Sequence, residues 1–325
     1  MTAGAAHPGG CTIGARPIDI HVDALKALGI DFFSGKEIST CGRCDDALSA
    51  AGQIKGGQVL LKFPSVGATE NLMIAASCCE EKTVIINAAR EPEICDLQSF
   101  LQKCGVNISG AGTPVITVYG TVKPNKNVIH RVIPDRIEAC TYITCAALCG
   151  DDVFIKKCDP RYVSLLIKIL RKCGAAIDCG NESIRVKKCI TSESYKKQQF
   201  IKTGPHPMVA TDMQPLLTVL AACTGCFCAI EETVFANRFK HVDELCRMGA
   251  KLYVSGDFIL CGGASKLKPA IVYASDLRCG AALVTAALCA EGVSVVSDPC
   301  DYIMRGYNAP EKKLAGAEAY IVKLP

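Results

Sequence analysis

The chain has 325 residues, enough to bury a large core and commonly divided into two domains. Half of its residues are hydrophobic and 21% are charged, which excludes a disordered chain. A net charge of +4, from 36 basic and 32 acidic residues, gives no argument for nucleic acid as a partner and leaves room for local basic pockets that take small anions.

Residues 1–16 lack an apolar h-region behind a basic start, so no signal peptide is expected. The most apolar stretches, residues 216–230 and 281–290, are too short for a membrane span and read as buried helices running into strands. The 22 cysteines are then expected to be reduced, in the cytoplasm. Most stand where Ala or Val would stand, as in "TYITCAALC", and act as small hydrophobes. Two Cys-x-x-Cys pairs occur, Cys41/Cys44 and Cys223/Cys226. Zinc needs four ligands brought together, and the second pair lies in an apolar segment with no nearby His. No metal and no cofactor are expected.

In chain order, the first informative stretch is the loop "HPGGCTIGARP", residues 7–17. Cys11 lies among glycines with Arg16 five residues on. A neighbouring cation lowers a thiol pKa and makes it usable as an acid, base or nucleophile; the other reading is a loop cysteine without a role. "RPIDIHVDALKALGIDF" follows as a helix and a strand, with His21 read as structural. His206 and His241 carry no clear signal.

A repeat then sets in. Four segments open on a polar cap and continue as small-residue apolar helices: "PSVGATENLMIAASC" from Pro64, "PDRIEACTYITCAALC" from Pro134, "TDMQPLLTVLAAC" from Thr211 and "SDLRCGAALVTAALC" from Ser275. Each is followed by a β-rich stretch and then a second helix: "EPEICDLQSFLQKCG", "DPRYVSLLIKILRKCG", "NRFKHVDELCRMG" and, less regularly, "MRGYNAPEKKLAG". Strands close each unit, the last being "AEAYIVKL". The fold class is therefore α/β (α+β), built from helix-strand-helix-strand-strand units. The chain holds four such units and, at its start, the back half of a fifth. That half unit leads to the expectation of an N-terminally truncated version of a longer architecture. The polar stretch "TVKPNKNVIHRV" marks a boundary, giving domains 1–133, incomplete and carrying the cysteine loop, and 134–325, with three units.

Ser65, Asp135, Thr211 with Asp212, and Ser275 with Asp276 all fall at predicted helix starts. Each either caps free backbone N–H groups or helps helix N-termini bind phosphate groups. "SVGAT" suits the second role best, because Gly67 lets an anion approach the backbone closely. Arginines recur at the same register: Arg136 and Arg278 after caps, and Arg16, Arg90, Arg238 and Arg305 at comparable junctions. They are either solvated charges or forks for phosphate and carboxylate.

"PGGCTIGARPIDIHVDALKALG", "PSVGATENLM", "NAAREPEI", "PDRIE", "PHPMVATDMQ", "ETVFANRFKHVDELCRMGA", "SDLR" and "RGY" resemble the motifs of the UDP-N-acetylglucosamine 1-carboxyvinyltransferase family of enolpyruvyl transferases, from Pro8 to about Lys323. The cysteine loop sets this resemblance apart from the sister 5-enolpyruvylshikimate-3-phosphate synthases. The resemblance implies inside-out α/β barrel domains of three units each. It also implies transfer of the enolpyruvyl group from phosphoenolpyruvate to the 3′-hydroxyl of UDP-N-acetylglucosamine with phosphate release, the first committed step of peptidoglycan synthesis. Carried over by motif, Cys11 is the proton donor and Asp212 the base at the sugar hydroxyl. Arg16, Arg278 and Arg305 would hold phosphoenolpyruvate, with Arg238 in the same basic cluster. Ser65, Val66 and Gly67 would touch the diphosphate, and Val234 and Asp212 the sugar. The expected partners are these two small molecules, with neither nucleic acid nor membrane. Three departures stand out: a Lys-Asn pair of the family's N-terminal segment is absent, Ala236 replaces an acidic residue, and Pro310 interrupts the last helix. The alternatives are an inactive remnant, half of a split enzyme completed by a companion chain, and 5-enolpyruvylshikimate-3-phosphate synthase activity.

Overall fold

A computed structural model describes residues 2–6, 18–34, 47–121, 123–188, 190 and 199–324. Cys11, Arg16, Cys41 and Cys44 lie outside these residues. The described residues divide into two compact units, one within 2–133 and the other within 134–324. Both are α/β.

The first unit opens with strand β1 (Thr2–Ala6), helix α1 (Asp19–Lys26) and the strands β2 (Ile30–Ser34) and β3 (Ala47–Gly52). They form an antiparallel sheet of order β1-β3-β2. The small residues of "TAGAA" carry no strand pattern, yet they pair along β3 from Thr2↔Ala51 to Ala6↔Ala47. Next come β4 (Gly57–Leu60), α2 (Val66–Ala76), β5 (Lys82–Ile86), α3 (Pro92–Lys103), β6 (Asn107–Ser109) and β7 (Val115–Tyr119). Their sheet has the order β4-β5-β7-β6, with β4 parallel to β5 and the other pairs antiparallel. Ala68, Thr69, Leu72, Met73 and Ala76 recur at helical spacing on α2 and are buried. The apolar four pack with Leu28, Ile85, Ile94 and Ile116 in the core of this unit.

Gly120 ends β7 where it crosses the C-terminus of α2. Its N–H donates to Cys79 O, and Thr121 N–H donates to Ser77 O, at 2.9 Å each. A Cβ at Gly120 would lie 2.4 Å from Ser77 O and 2.5 Å from Ala76 O and Cys79 O, all rigid backbone. Gly120→Ala is expected to destabilise this unit by about 3 kcal/mol through overpacking, read as a lower urea midpoint.

The second unit contains α4 (Arg136–Cys149), β8 (Val153–Lys156), α5 (Ser164–Lys172), β9 (Ala176–Cys179) and β10 (Ser183–Lys188). Then follow β11 (Gln199–Lys202), a 3-10 turn (Thr211–Met213), α6 (Gln214–Thr224), β12 (Phe227–Glu231), α7 (Lys240–Arg247), β13 (Leu252–Ser255) and β14 (Phe258–Cys261). Last are β15 (Ile271–Tyr273), α8 (Leu277–Cys289), β16 (Val295–Ser297), a second 3-10 turn (Ile303–Arg305) and α9 (Pro310–Ala315). The sheet β11-β12-β14-β13 repeats the order and sense of β4-β5-β7-β6; the others are β8-β10-β9 and the parallel pair β15-β16.

Helices α4, α6 and α8 pack on one another in the core. Apart from the partly buried Cys223, α6 is buried on every side, which accounts for a run from Pro215 to Cys223 that is apolar except at Thr218. The buried threonines of α4, α6 and α8 are tolerated because their hydroxyls are satisfied locally. Thr141, Thr144, Thr218, Thr224 and Thr285 each donate to the carbonyl four residues back. Cys140, Cys173, Cys226 and Cys279 are fully buried and fill space as small hydrophobes, and burial pushes the Cys145 thiol up to about 12. Among the described residues no three His, Cys, Asp or Glu side chains form a metal-binding group. No described helix is long and apolar enough to cross a membrane.

Two expectations fail in the last repeat. The second helix over residues 304–316 shrinks to the turn Ile303–Arg305 and the six-residue α9, because Pro310 has no N–H to continue a helix across it. The segment 317–324 is not a strand. In the other repeats the strand in this place (β6, β9 or β13) pairs only with the strand that follows it, and among the described residues 317–324 pairs with none.

Candidate active site

In the first unit, Ser65 is extended and caps α2, its Oγ accepting from Ala68 N at 3.3 Å. Gly67 sits against His21: a Cβ there would lie 3.2 Å from His21 Cε1. Asn71 Nδ2 donates to His21 Nδ1 at 2.8 Å, and burial holds the imidazole below its ordinary pKa, hence neutral. The capping reading thus holds for Ser65, with Val66 and Gly67 supplying the first turn.

In the second unit the caps divide. Asp135 accepts from Ile137 N and Glu138 N, and Asp276 from Arg278 N and Cys279 N, so both are N-caps. Asp212 is not. The 3-10 turn Thr211–Met213 precedes Pro215 in the first turn of α6 and projects the Asp212 carboxylate ahead of the helix. There its Oδ1 accepts from Arg238 Nη2 at 3.2 Å and from Arg278 Nε at 3.1 Å. The side chain of Asp212 keeps 36% of its surface open, whereas Arg238 is 6% and Arg278 14% exposed. Burial pushes the carboxyl up, but the two guanidiniums together outweigh burial and hold it below the usual carboxylate range.

Each arginine has its own support. Arg238 Nη1 donates to Thr211 Oγ1 at 2.9 Å, and its guanidinium lies 5.1 Å from the Phe235 ring. Thr211 Oγ1 in turn donates to Glu232 Oε2 at 2.9 Å. Glu232 is only 1% exposed, and its Oε1 accepts from Val234 N at 2.8 Å and Phe235 N at 3.2 Å. It therefore fixes the backbone at Val234 as well as the hydroxyl under Arg238. Arg278 Nη1 donates to the Tyr307 hydroxyl at 3.2 Å. Arg305 stands apart in its contacts: it donates to Cys300 O at 3.3 Å and stacks on Tyr302. His241 is buried, bonded to Thr218 Oγ1 at 3.2 Å, and burial followed by Arg238 pushes its pKa down to about 3, so it stays neutral.

The structure thus brings Asp212, Arg238 and Arg278 together and leaves Arg305 outside that cluster. Glu232, Thr211 as a bridge, Tyr307 and Thr141 were not singled out from sequence. "RGY" held a signal for Tyr307, as did the carboxylate pair "EE" at the end of β12 for Glu232. The arrangement offers one reachable carboxylate between the buried Arg238 and the partly buried Arg278, a set able to take a proton beside a bound anion.

A family model for EPSP synthase (3-phosphoshikimate 1-carboxyvinyltransferase) matches residues 3–314. The chain belongs to the EPSP synthase family. Among its relatives, this family member is 43% identical over 313 residues to UDP-N-acetylglucosamine 1-carboxyvinyltransferase 1 of Carboxydothermus hydrogenoformans, covering 96% of this chain and 71% of that protein. It is 44% identical over 315 residues to UDP-N-acetylglucosamine 1-carboxyvinyltransferase 1 of Caldanaerobacter subterraneus subsp. tengcongensis, covering 96% and 72%. Its fold is similar to that of the enolpyruvyl transferase NikO from Streptomyces tendae, with a TM-score of 0.80 at 20% identity, over 100% of this chain and 75% of that one. EPSP synthase from Acinetobacter baumannii follows at a TM-score of 0.69 and 19% identity, over 99% and 75%.

Proposed function

We propose that this EPSP synthase family member transfers the enolpyruvyl group of phosphoenolpyruvate to the 3′-hydroxyl of UDP-N-acetylglucosamine, with release of phosphate. The observation that carries the reading is the Asp212 carboxylate bonded to Arg238 and Arg278 at 3.2 and 3.1 Å. The acceptor is taken from the names of relatives above 40% identity.

The chemistry follows from the groups. Phosphoenolpyruvate carries a phosphate and a carboxylate, and Arg278, Arg238, Arg16 and Arg305 supply guanidiniums for them. Asp212 takes the proton of the 3′-hydroxyl as its oxygen bonds to C2, and the Cys11 thiol gives a proton to C3. Loss of a proton from C3 and of phosphate from C2 then restores the double bond. The backbone N–H groups of Val66 and Gly67 in the first turn of α2, beside Ser65, suit the diphosphate. The Val234 backbone, held by Glu232, suits the sugar. On the same reading, residues 134–325 form an inside-out barrel domain of three repeats with α4, α6 and α8 inside, and residues 1–133 are part of a second such domain. We place the reaction in the cytoplasm, in line with the free thiols of the described cysteines.

The test is phosphate release from phosphoenolpyruvate with either UDP-N-acetylglucosamine or shikimate 3-phosphate as acceptor, beside Cys11→Ala. Release with the first acceptor alone, lost in Cys11→Ala, is the expected result. Release with shikimate 3-phosphate alone would reassign the acceptor. Binding of the nucleotide sugar without release would leave a chain that binds but does not catalyse by itself.

A further inference from the structure

We propose that Tyr307 is a positioning residue for Arg278, orienting its guanidinium toward phosphoenolpyruvate through a hydrogen-bond chain anchored in α4. The proposal rests on the role given to Arg278 above. Tyr307 is 2% exposed, and its hydroxyl meets Thr141 Oγ1 at 2.9 Å and Arg278 Nη1 at 3.2 Å.

The direction of the chain is fixed by donor counting. Thr141 Oγ1 donates its single proton to Ile137 O at 3.2 Å, so toward Tyr307 it can only accept. The phenol therefore donates to Thr141 and accepts from Arg278. Burial pushes the phenol up, so it keeps the proton this needs. Arg278 Nε is held by Asp212 and Nη1 by Tyr307, with the Tyr307 ring centroid 5.7 Å from its guanidinium carbon. Two points on a planar fork set its plane as well as its position.

The phenol is itself held rigidly. Tyr302 N and Ile303 N donate to the Asp298 carboxylate at 2.8 Å, and Tyr307 N donates to Ile303 O at 3.0 Å. The turn lies close on α8 through two glycines. A Cβ at Gly280 would be 2.5 Å from Ile303 Cγ1, and one at Gly306 would be 2.8 Å from Leu277 Cδ2. Nothing in this seating requires a hydroxyl, since Phe would fill the same volume. The hydroxyl serves the bond to the arginine.

The test is Tyr307→Phe and Thr141→Val, each checked by thermal melting. Binding of phosphoenolpyruvate is read by titration calorimetry, and KM and kcat by phosphate release. Loss of a hydrogen bond to a charged group predicts phosphoenolpyruvate affinity lower by about 10- to 100-fold in Tyr307→Phe, with KM for the nucleotide sugar unchanged. Thr141→Val should shift it in the same direction, and the double variant should be no worse than Tyr307→Phe alone. Wild-type phosphoenolpyruvate affinity in a folded Tyr307→Phe, with Arg278→Ala impaired, would overturn the proposal alone. Wild-type affinity in Arg278→Ala would overturn the reading of the site, and the proposal with it.

Discussion

Asp212→Asn is expected to reduce kcat about a thousandfold while binding phosphoenolpyruvate more tightly than the wild type. The two effects have one origin. In the free protein the Asp212 carboxylate is the anion on Arg238 Nη2 and Arg278 Nε. An arriving phosphate or carboxylate has to share or displace it. Asn keeps the shape, removes the charge that competes, and removes the base. The same competition predicts a pH signature. Against burial, the two guanidiniums hold the folded-state pKa of Asp212 below its ordinary value. The ion pairs therefore contribute stability above the usual carboxylate range and lose it as pH falls through the lowered value. The acid limb of kcat/KM, which reports the free protein, should lie below the ordinary carboxylate pKa. Once substrate anions engage the arginines, the carboxylate loses much of that stabilisation, and the acid limb of kcat should lie higher. Phosphate-release profiles measured for both parameters check this. Coincident limbs, or weaker phosphoenolpyruvate binding in Asp212→Asn, would show that Asp212 does not compete for the arginines.

What could be read from sequence, and what could not, follows from the range of the interactions. The helices α4, α6 and α8 are legible because burial on most sides writes long runs of small apolar residues, and α2 because its buried residues recur at helical spacing. Asp135 and Asp276 are legible as caps because a cap bonds within three residues of itself. Asp212 looks like another cap in sequence. Only the 3-10 turn before α6 separates it, and its partners lie 26 and 66 residues away. Thr141 and Tyr307 are 166 residues apart, joined by no local pattern. Strands are legible only where a partner exists. "AEAYIVKL" carries the β-forming Tyr, Ile and Val and forms no strand, whereas "TAGAA" has no pattern and pairs because β3 presents an edge.

Arg278→Lys is expected to lose nearly as much kcat/KM as Arg278→Ala, each falling by about 10²- to 10³-fold. The side chain is 14% exposed and is held at Nε by Asp212 at 3.1 Å and at Nη1 by Tyr307 at 3.2 Å. A lysine ammonium is a compact point charge, so it cannot hold both partners and present a planar fork to a third group. Either substitution also leaves the buried phenol without its donor and leaves Arg238 alone against Asp212. Arg305 supplies the contrast. It is exposed and bonds only a backbone carbonyl and an aromatic face among its described contacts, so Arg305→Ala should change stability by less than about 0.5 kcal/mol. Any kinetic loss there should fall on KM for phosphoenolpyruvate, with kcat largely kept, because a flexible exposed arm binds ground state and transition state alike. A Lys variant at 278 that retained wild-type kcat/KM would mean that charge alone is used at this position, and that the geometry imposed by Asp212 and Tyr307 has no part in the reaction.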